Sequence, residues 1–211
     1  MRSGGSPRRL VVATTNRGKL REIAALLSDL PLQVVAASDF PEVDYPDEGD
    51  DYAANSIAKA LAVATALGEH AVADDSGLEV EALAGRPGVR SARYGGPGLD
   101  DAGRVAHLLS ELDDLPSTER RARFVCWAAF ALPSGRVETA QGTCPGRILA
   151  SPRGGMGFGY DPIFAPDGSE RSLAEYSARE KDAISHRGAA FRRLIPAIRA
   201  SLGDPARATR S

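Results

Sequence analysis

The chain has 211 residues, with 26 Lys and Arg against 28 Asp and Glu, and a formal net charge of −2. That length suits one domain of ordinary size or two small lobes sharing a core, and 43% hydrophobic residues are enough to bury one. The near-neutral balance argues against a general nucleic-acid binder, which needs a basic excess, but leaves room for a small anionic ligand held by a local donor cluster. No apolar run reaches the ~18 residues of a membrane span. Met1–Leu10 lacks the apolar segment of a signal peptide. Two cysteines, Cys126 and Cys144, make no disulfide framework. A reducing cytoplasm is the expected compartment.

Leu10–Thr15 (LVVATT) is a β-branched run that reads as a buried strand. A helix follows Thr15-Asn16, with Leu20, Ile23, Ala24 and Leu27 on one face. A strand-to-helix turn offers free backbone N–H groups and the positive end of a helix dipole. Thr14, Thr15, Asn16, Arg17, Gly18 and Lys19 add hydroxyl, amide and cationic donors there, a set suited to a phosphate chain. The segment is not a P-loop: Ala13 stands where the leading glycine belongs, and Leu20 follows Gly18-Lys19 in place of Ser or Thr. A plain N-cap by Thr15 or Asn16 is the competing reading.

Leu32–Ala36 reads as a second strand, Asp39–Asp51 as an acidic loop, and Tyr52–Leu67 as an alanine-rich helix. Asn55 and Lys59 lie one turn apart, roughly opposite Ile57, Leu61 and Ala64. That pair is expected to project away from the core, into solvent or a cleft. Ala71–Ala73 reads as a short strand ending in Asp74-Asp75-Ser76-Gly77. Asp, Ser and Gly favour turns, yet ligands of α/β sheets gather beyond the carboxyl ends of strands. Two acids there can hold Mg²⁺ and position a water, and the acidic loop Asp44–Asp51 can add a carboxylate.

Gly85–Gly98 is a Gly/Pro-rich loop, and Asp101–Leu112 a helix with Val105, Leu108, Leu109 and Leu112 as its stripe. Arg123–Leu132 and Arg136–Gly142 form a hairpin about Pro133-Ser134-Gly135. Gly154–Asp161 matches GxGxxG only loosely and lacks the βαβ context of a Rossmann turn. Its glycines let backbone and the rings of Phe158 and Tyr160 approach a flat ligand, with Asp161 as a carboxylate partner for a nucleobase. A glycine-rich loop with both rings in the core is the alternative. Lys181, His186 and Arg187 gather donors near a helix start that Ser185 can cap. The last helix begins near Ser177 or later, buries Phe191, Leu194, Ile195 and Ile198, and is expected to kink at Pro196. Alternating strands and helices around a hairpin indicate an α/β fold with a mixed sheet.

Taken together, these segments resemble the inosine triphosphate pyrophosphatase family, the Ham1-like proteins. TTNRGK, NSIAKA, VADDSGLEVEALAGRPGVRSARY, GGMGFGYDPIF and EKDAISHRG carry the resemblance, which runs from Val11 to about Leu194. It implies an elongated mixed sheet flanked by helices, with two lobes and a central cleft. One domain over residues 9–202 then lies between flexible ends at 1–8 and 203–211. It also implies a homodimer and Mg²⁺-dependent cleavage of non-standard purine triphosphates (ITP, dITP, XTP) to the monophosphate and pyrophosphate.

Carried onto this chain, the resemblance places Thr14 to Lys19 and Lys59 on the triphosphate. Asp75 becomes the proton acceptor and a metal ligand, with Ser76 beside it on the substrate. Phe158, Gly159, Tyr160 and Asp161 become the base-recognition loop, and Lys181, His186 and Arg187 the remaining nucleotide contacts. Two departures stand out: Ala54 replaces the Glu that many members carry before Asn55, and the acidic pair is nearest matched by Asp47-Glu48, which makes Glu48 the second metal ligand. Lys181 or Arg187 is the expected donor to the 6-oxo group of the base. Rejection of guanine must rest on its 2-amino group, to which the sequence assigns no contact. Two other readings compete: a Maf-like pyrophosphatase acting on other modified or standard nucleotides, and a non-catalytic nucleotide- or RNA-binding module. Asp75, Lys19 and Lys59 argue against the second.

Overall fold

The computed structural model of the chain describes residues 8–40 and 43–203. The expected flexible ends lie outside it, apart from Arg8 and Gly203, as do residues 41–42 of the acidic loop. In chain order the elements are β1 (Arg8–Val12), α1 (Arg17–Leu26), β2 (Leu32–Ala36), α2 (Tyr52–Leu67), β3 (His70–Val80) and β4 (Pro87–Gly88). There follow α3 (Asp101–Glu111), β5 (Arg121–Ala131), β6 (Val137–Ile148), β7 (Phe164–Pro166), α4 (Ala178–Ile184) and α5 (His186–Gly203).

Short polar side chains start the helices as their chemistry dictates. Asp51 Oδ1 accepts from Ala54 N at 2.7 Å ahead of α2, and Asp100 Oδ1 from Gly103 N at 2.8 Å ahead of α3. Gly68, at φ +63°, ends α2 in the left-handed conformation. The C-terminal helix is two helices: Ser177 and Glu180 form a capping box on α4. Ser185 then breaks the run, its Oγ accepting from Gly188 N at 3.0 Å to cap α5. Pro196 sits inside α5, which continues past it to Gly203.

The strands form one mixed sheet in the order β2-β1-β3-β5-β6-β7, with β4 also on β3. β1 runs parallel to β2 and β3, and the other pairs are antiparallel. β3, β5 and β6, of 11, 11 and 12 residues, are long enough to serve more than one core. Leu78, Val80, Leu108, Phe124 and Phe164 pack together at one end. At the other end, Leu10, Ile23, Val72, Phe130 and Phe191 fill one face of the sheet, and Val11, Ala60, Val63, Ala73 and Ala129 fill the other beneath α2.

Asp74-Asp75-Ser76-Gly77 does not end a strand, as its turn-favouring residues predict, but lies in the middle of one. The ladder to β5 runs unbroken from Ala71↔Ala131 to Val80↔Ala122. On the opposite edge, β1 pairs only as far as Val72, and β4 takes over at Leu78. The interval between them is an opening in the edge of β3, and the acids stand in it. Gly77 permits the close crossing of β4, since a Cβ there would collide with the Gly88 carbonyl and the Tyr52 hydroxyl. β6 likewise runs past the predicted end at Gly142. That glycine is a packing position, because a Cβ on it would strike the His186 carbonyl of α5. No described helix is long and apolar enough to cross a membrane.

Candidate active site

The N-terminus of α1 is organised by Asn16, whose Oδ1 accepts from Gly18 N at 2.8 Å and Lys19 N at 3.0 Å. Thr14 Oγ1 in turn accepts from Asn16 N at 3.2 Å. The capping reading therefore holds, and it aims Lys19 inward, its Nζ 3.3 Å from Asp74 Oδ2. Thr14, Thr15, Asn16 and Lys19 line a cavity, whereas Arg17 is exposed and lines none of those described here. Gly18 is buried against the ring of Phe158: a Cβ on it would lie 2.5 Å from Cδ1.

Successive residues of a strand face opposite sides, so the two acids of β3 have separate surroundings. Asp74, 1% exposed, accepts at Oδ2 from Arg187 Nη2 at 2.9 Å and Nε at 3.2 Å. Burial alone would raise its pKa, but Arg187, and after it Lys19 and Lys59, hold the carboxyl far below the ordinary range. Arg187 also donates to Ser76 Oγ at 3.0 Å and to Glu22. Glu22 accepts from Lys181 Nζ at 2.7 Å, and Lys181 reaches on to Asp161.

On the other face, Asp75 Oδ2 accepts from Asn55 Nδ2 at 2.8 Å, and Oδ1 lies 3.6 Å from Lys59 Nζ. Lys59 donates to Glu48 Oε1 at 2.9 Å. Burial raises the Asp75 carboxyl above its ordinary value, with Lys59 and Asn55 opposing. Asn55 also exchanges two hydrogen bonds with the backbone of Gly49, at 2.8 and 3.0 Å, and so pins the acidic loop. Asn55 and Lys59 thus point into a cleft, and not toward solvent: both are buried, while Ile57 and Leu61 are only partly so. The carboxylates on β3 and the loop reward burying a lysine and an amide that periodicity alone would place outside.

The glycine-rich loop closes the second side. Asp161 Oδ2 accepts from Phe158 N at 2.8 Å, and Gly159 N donates to Asp101 Oδ2 at 2.8 Å. Lys181 Nζ stands 5.0 Å from the centre of the Phe158 ring. His186 stacks on Phe124, with centroids 4.7 Å apart and planes 10° from parallel. Its Nδ1 is buried with no partner among the described residues. Burial, reinforced by Arg187 and Lys181, pushes the imidazole well below 6.5, so it is neutral. Tyr160 divides its roles: it lines the cavity, yet its ring belongs to the core and its hydroxyl donates to Ser91 O at 3.1 Å.

Two cavities result. A slot of about 140 Å³ is bounded by Phe124, Phe158, Tyr160, Lys181 and His186. A wider cavity of about 530 Å³ is bounded by Thr14, Thr15, Glu48, Lys59 and Asp75. They meet at Asn16, Lys19, Ser76 and Ala92, which line both. The tying roles of Glu22 and Asp74 depend on residues distant in sequence. The only local signal for Glu22 is its position one turn after Lys19 on α1. The hydroxyl of Tyr45, buried without a partner among the described residues beside the wider cavity, carries no sequence signal at all.

No three His, Cys, Asp or Glu side chains converge as a metal cage among the described residues. Mg²⁺ does not require one, because it takes one or two carboxylates and completes its shell with waters and phosphate oxygens. Asp75 and Glu48, gathered on one lysine, supply hard oxygen donors of that kind and number.

A slot lined by aromatic rings thus adjoins an acid- and lysine-bearing cavity, across an opening in a mixed α/β sheet. The sequence model of the Ham1 family matches residues 10–197, and the chain belongs to that family. It is 46% identical over 198 residues to the dITP/XTP pyrophosphatase of Streptomyces avermitilis, covering 92% of this chain and 99% of the relative. It is 47% identical over 188 residues to that of Desulforamulus reducens, covering 89% and 94%. Among solved structures, a HAM1 protein from Coxiella burnetii superposes with a TM-score of 0.81 at 37% identity, covering 92% of this chain and 99% of that one. A nucleoside-triphosphatase / dITP/XTP pyrophosphatase from Mycobacterium abscessus gives 0.70 at 42% identity, covering 89% and 99%.

Proposed function

We propose that the chain hydrolyses ITP, dITP and XTP to the nucleoside monophosphate and pyrophosphate, with Mg²⁺, as a cytoplasmic homodimer. The observation that carries this reading is the placement of Asp75. It stands in the edge opening of β3, held by Asn55 and facing Lys59, in a cavity that Lys19 joins to an aromatic slot. The relatives named dITP/XTP pyrophosphatases support it along nearly the full chain.

In this mechanism Asp75 orients the attacking water and takes its proton, which calls for a carboxylate at the phosphate end. Lys19, Lys59 and the N–H groups of Thr15 and Arg17, the two in the Thr14–Lys19 turn that meet no acceptor among the described residues, offset charge on the phosphates as it builds. Asp75 and Glu48 would hold Mg²⁺, which supplies further charge neutralisation at the phosphate oxygens. The base enters the slot against Phe158. Lys181 keeps one ammonium hydrogen beyond those given to Glu22 and Asp161, and that hydrogen is directed to the 6-oxo group. Arg187, saturated by Asp74, Ser76 and Glu22 on all but one N–H, serves mainly to hold the slot's shape.

Measuring pyrophosphate release from ITP, dITP, XTP, dGTP, ATP, dTTP and UTP tests the reading. Preference for the first three is the expected result. Equal rates on dGTP would return the chain to the Maf-like alternative, and light scattering of the purified protein tests the dimer.

A further inference from the structure

The cations of the slot differ in one respect. Lys19, Lys181 and Arg187 each meet a carboxylate. Arg104, on α3, lines the same cavity, and its guanidinium forms no ion pair and no side-chain hydrogen bond among the described residues. Its Nε is shut off from water without an acceptor. The acid one turn before it, Asp101, is engaged elsewhere, accepting from Gly159 N at 2.8 Å. Its Nη1 and Nη2 have no partner among the described residues either but, unlike Nε, are not shut off from water, so they are the N–H groups that an acceptor atom in the slot can pair with.

Lys181 and His186 enter the slot from the α4–α5 elbow, whereas Arg104 enters from α3, which packs into the Leu78–Phe124 core. A purine turned with its 6-oxo edge to the elbow carries its 2-position, two ring atoms further round, toward the other donor. Resting on the purine triphosphatase reading above, we propose that Arg104 is a specificity-determining contact for the 2-position of the base. A guanidinium offers donors only. Xanthine presents a 2-oxo acceptor to it, and hypoxanthine a hydrogen that neither gains nor loses a partner. Guanine presents a 2-amino group, so donor meets donor and both are left unpaired. One side chain then favours xanthine, tolerates hypoxanthine and rejects guanine, while adenine is refused at the 6-position by the separate Lys181 contact.

The test is equilibrium binding of XMP, IMP and GMP to the full chain and to Arg104→Met, which keeps reach and removes every donor. Calorimetry should show XMP binding weakened about 10-fold or more and IMP changed by less than about twofold, with the XMP-to-GMP affinity ratio collapsing. Arg104→Lys should recover part of the XMP preference, which a merely structural role would not. Unchanged XMP binding, or equal losses for XMP and IMP, overturns the proposal. Pyrophosphate release from ITP and XTP by the wild type, measured in parallel, separates the two layers: its absence removes the hydrolase reading, whereas the XMP-to-GMP ratio judges Arg104 by itself.

Discussion

Asp74 and Asp75 are neighbours in the chain and strangers in the fold. Oδ2 of Asp74 accepts from Arg187 Nη2 at 2.9 Å on one face of β3, and Oδ2 of Asp75 accepts from Asn55 Nδ2 at 2.8 Å on the other. The same conservative change at the two positions should therefore give opposite phenotypes. Asp75→Asn keeps an acceptor for Asn55 and removes the proton acceptor. Pyrophosphate release should fall about 10²–10⁴-fold, with the melting temperature within a few degrees of wild type. Asp74→Asn removes the carboxylate that accepts two of the buried Arg187's N–H groups and leaves Glu22 as its remaining charged partner. Breaking such a pair costs about 3–5 kcal/mol, on the order of 10 °C in melting temperature for a chain of this size. Wild-type turnover by Asp75→Asn would remove it from the mechanism.

His186 predicts a pH dependence of stability. Its folded-state pKa is depressed below 6.5 by burial and by Arg187 and Lys181. The unfolded chain therefore takes up the proton first as pH falls. The contribution is complete above about pH 6.5 and is lost as pH drops through and below that value. His186→Phe preserves a flat ring against Phe124 and cannot titrate. Thermal melts from about pH 7.5 to 5 should show a steeper decline in the wild type than in the variant. Parallel curves would mean that the histidine does not report on folding.

Gly18→Ala tests the contact beneath the slot. The added methyl would lie 2.5 Å from Phe158 Cδ1, so the ring must shift. The helix itself tolerates alanine well. The Michaelis constant for ITP should rise about 10-fold while stability changes by less than about 2 kcal/mol. An unaltered Michaelis constant would show that the ring's position is not used by the base.

Chelation separates the carboxylates from the lysines. EDTA should stop pyrophosphate release and added Mg²⁺ should restore it. Glu48→Gln should raise the Mg²⁺ concentration needed for half-maximal rate by about 10-fold or more. The glutamine carbonyl can still accept from Lys59, so the Michaelis constant should change less than the metal requirement. Metal dependence identical to wild type would leave Asp75 as the sole protein ligand.

Much of this is legible in the residues themselves. β2 and α2 fall on Leu32–Ala36 and Tyr52–Leu67 as read from the sequence, because a short β-branched run and an alanine-rich helix with an acidic cap carry their own signals. The middle of β3 departs from its local signal for a physical reason. Locally, Asp-Asp-Ser-Gly favours a turn, and it is held extended by partners distant in sequence: the β5 ladder along its edge, with Arg187 on one face and Asn55 and Lys59 on the other. The inward turn of Lys59 was hidden in the same way, since its reward comes from Asp75 and Glu48 and not from helical periodicity. Glu22 joins Lys181 and Arg187 across most of the chain's length, a relation that no local pattern encodes.

The long strands β3, β5 and β6 carry a consequence for how damage spreads. Both ends of the molecule hang on the same three hydrogen-bonded ribbons, with Leu78 and Phe124 serving one core and Val72 and Phe130 the other. A cavity opened beside Phe130 loosens the strands that also support Phe124. Inherited variation in either core should thus surface as a shortage of the whole protein in the cell, and not as a molecule that has lost one half of its cleft and kept the other.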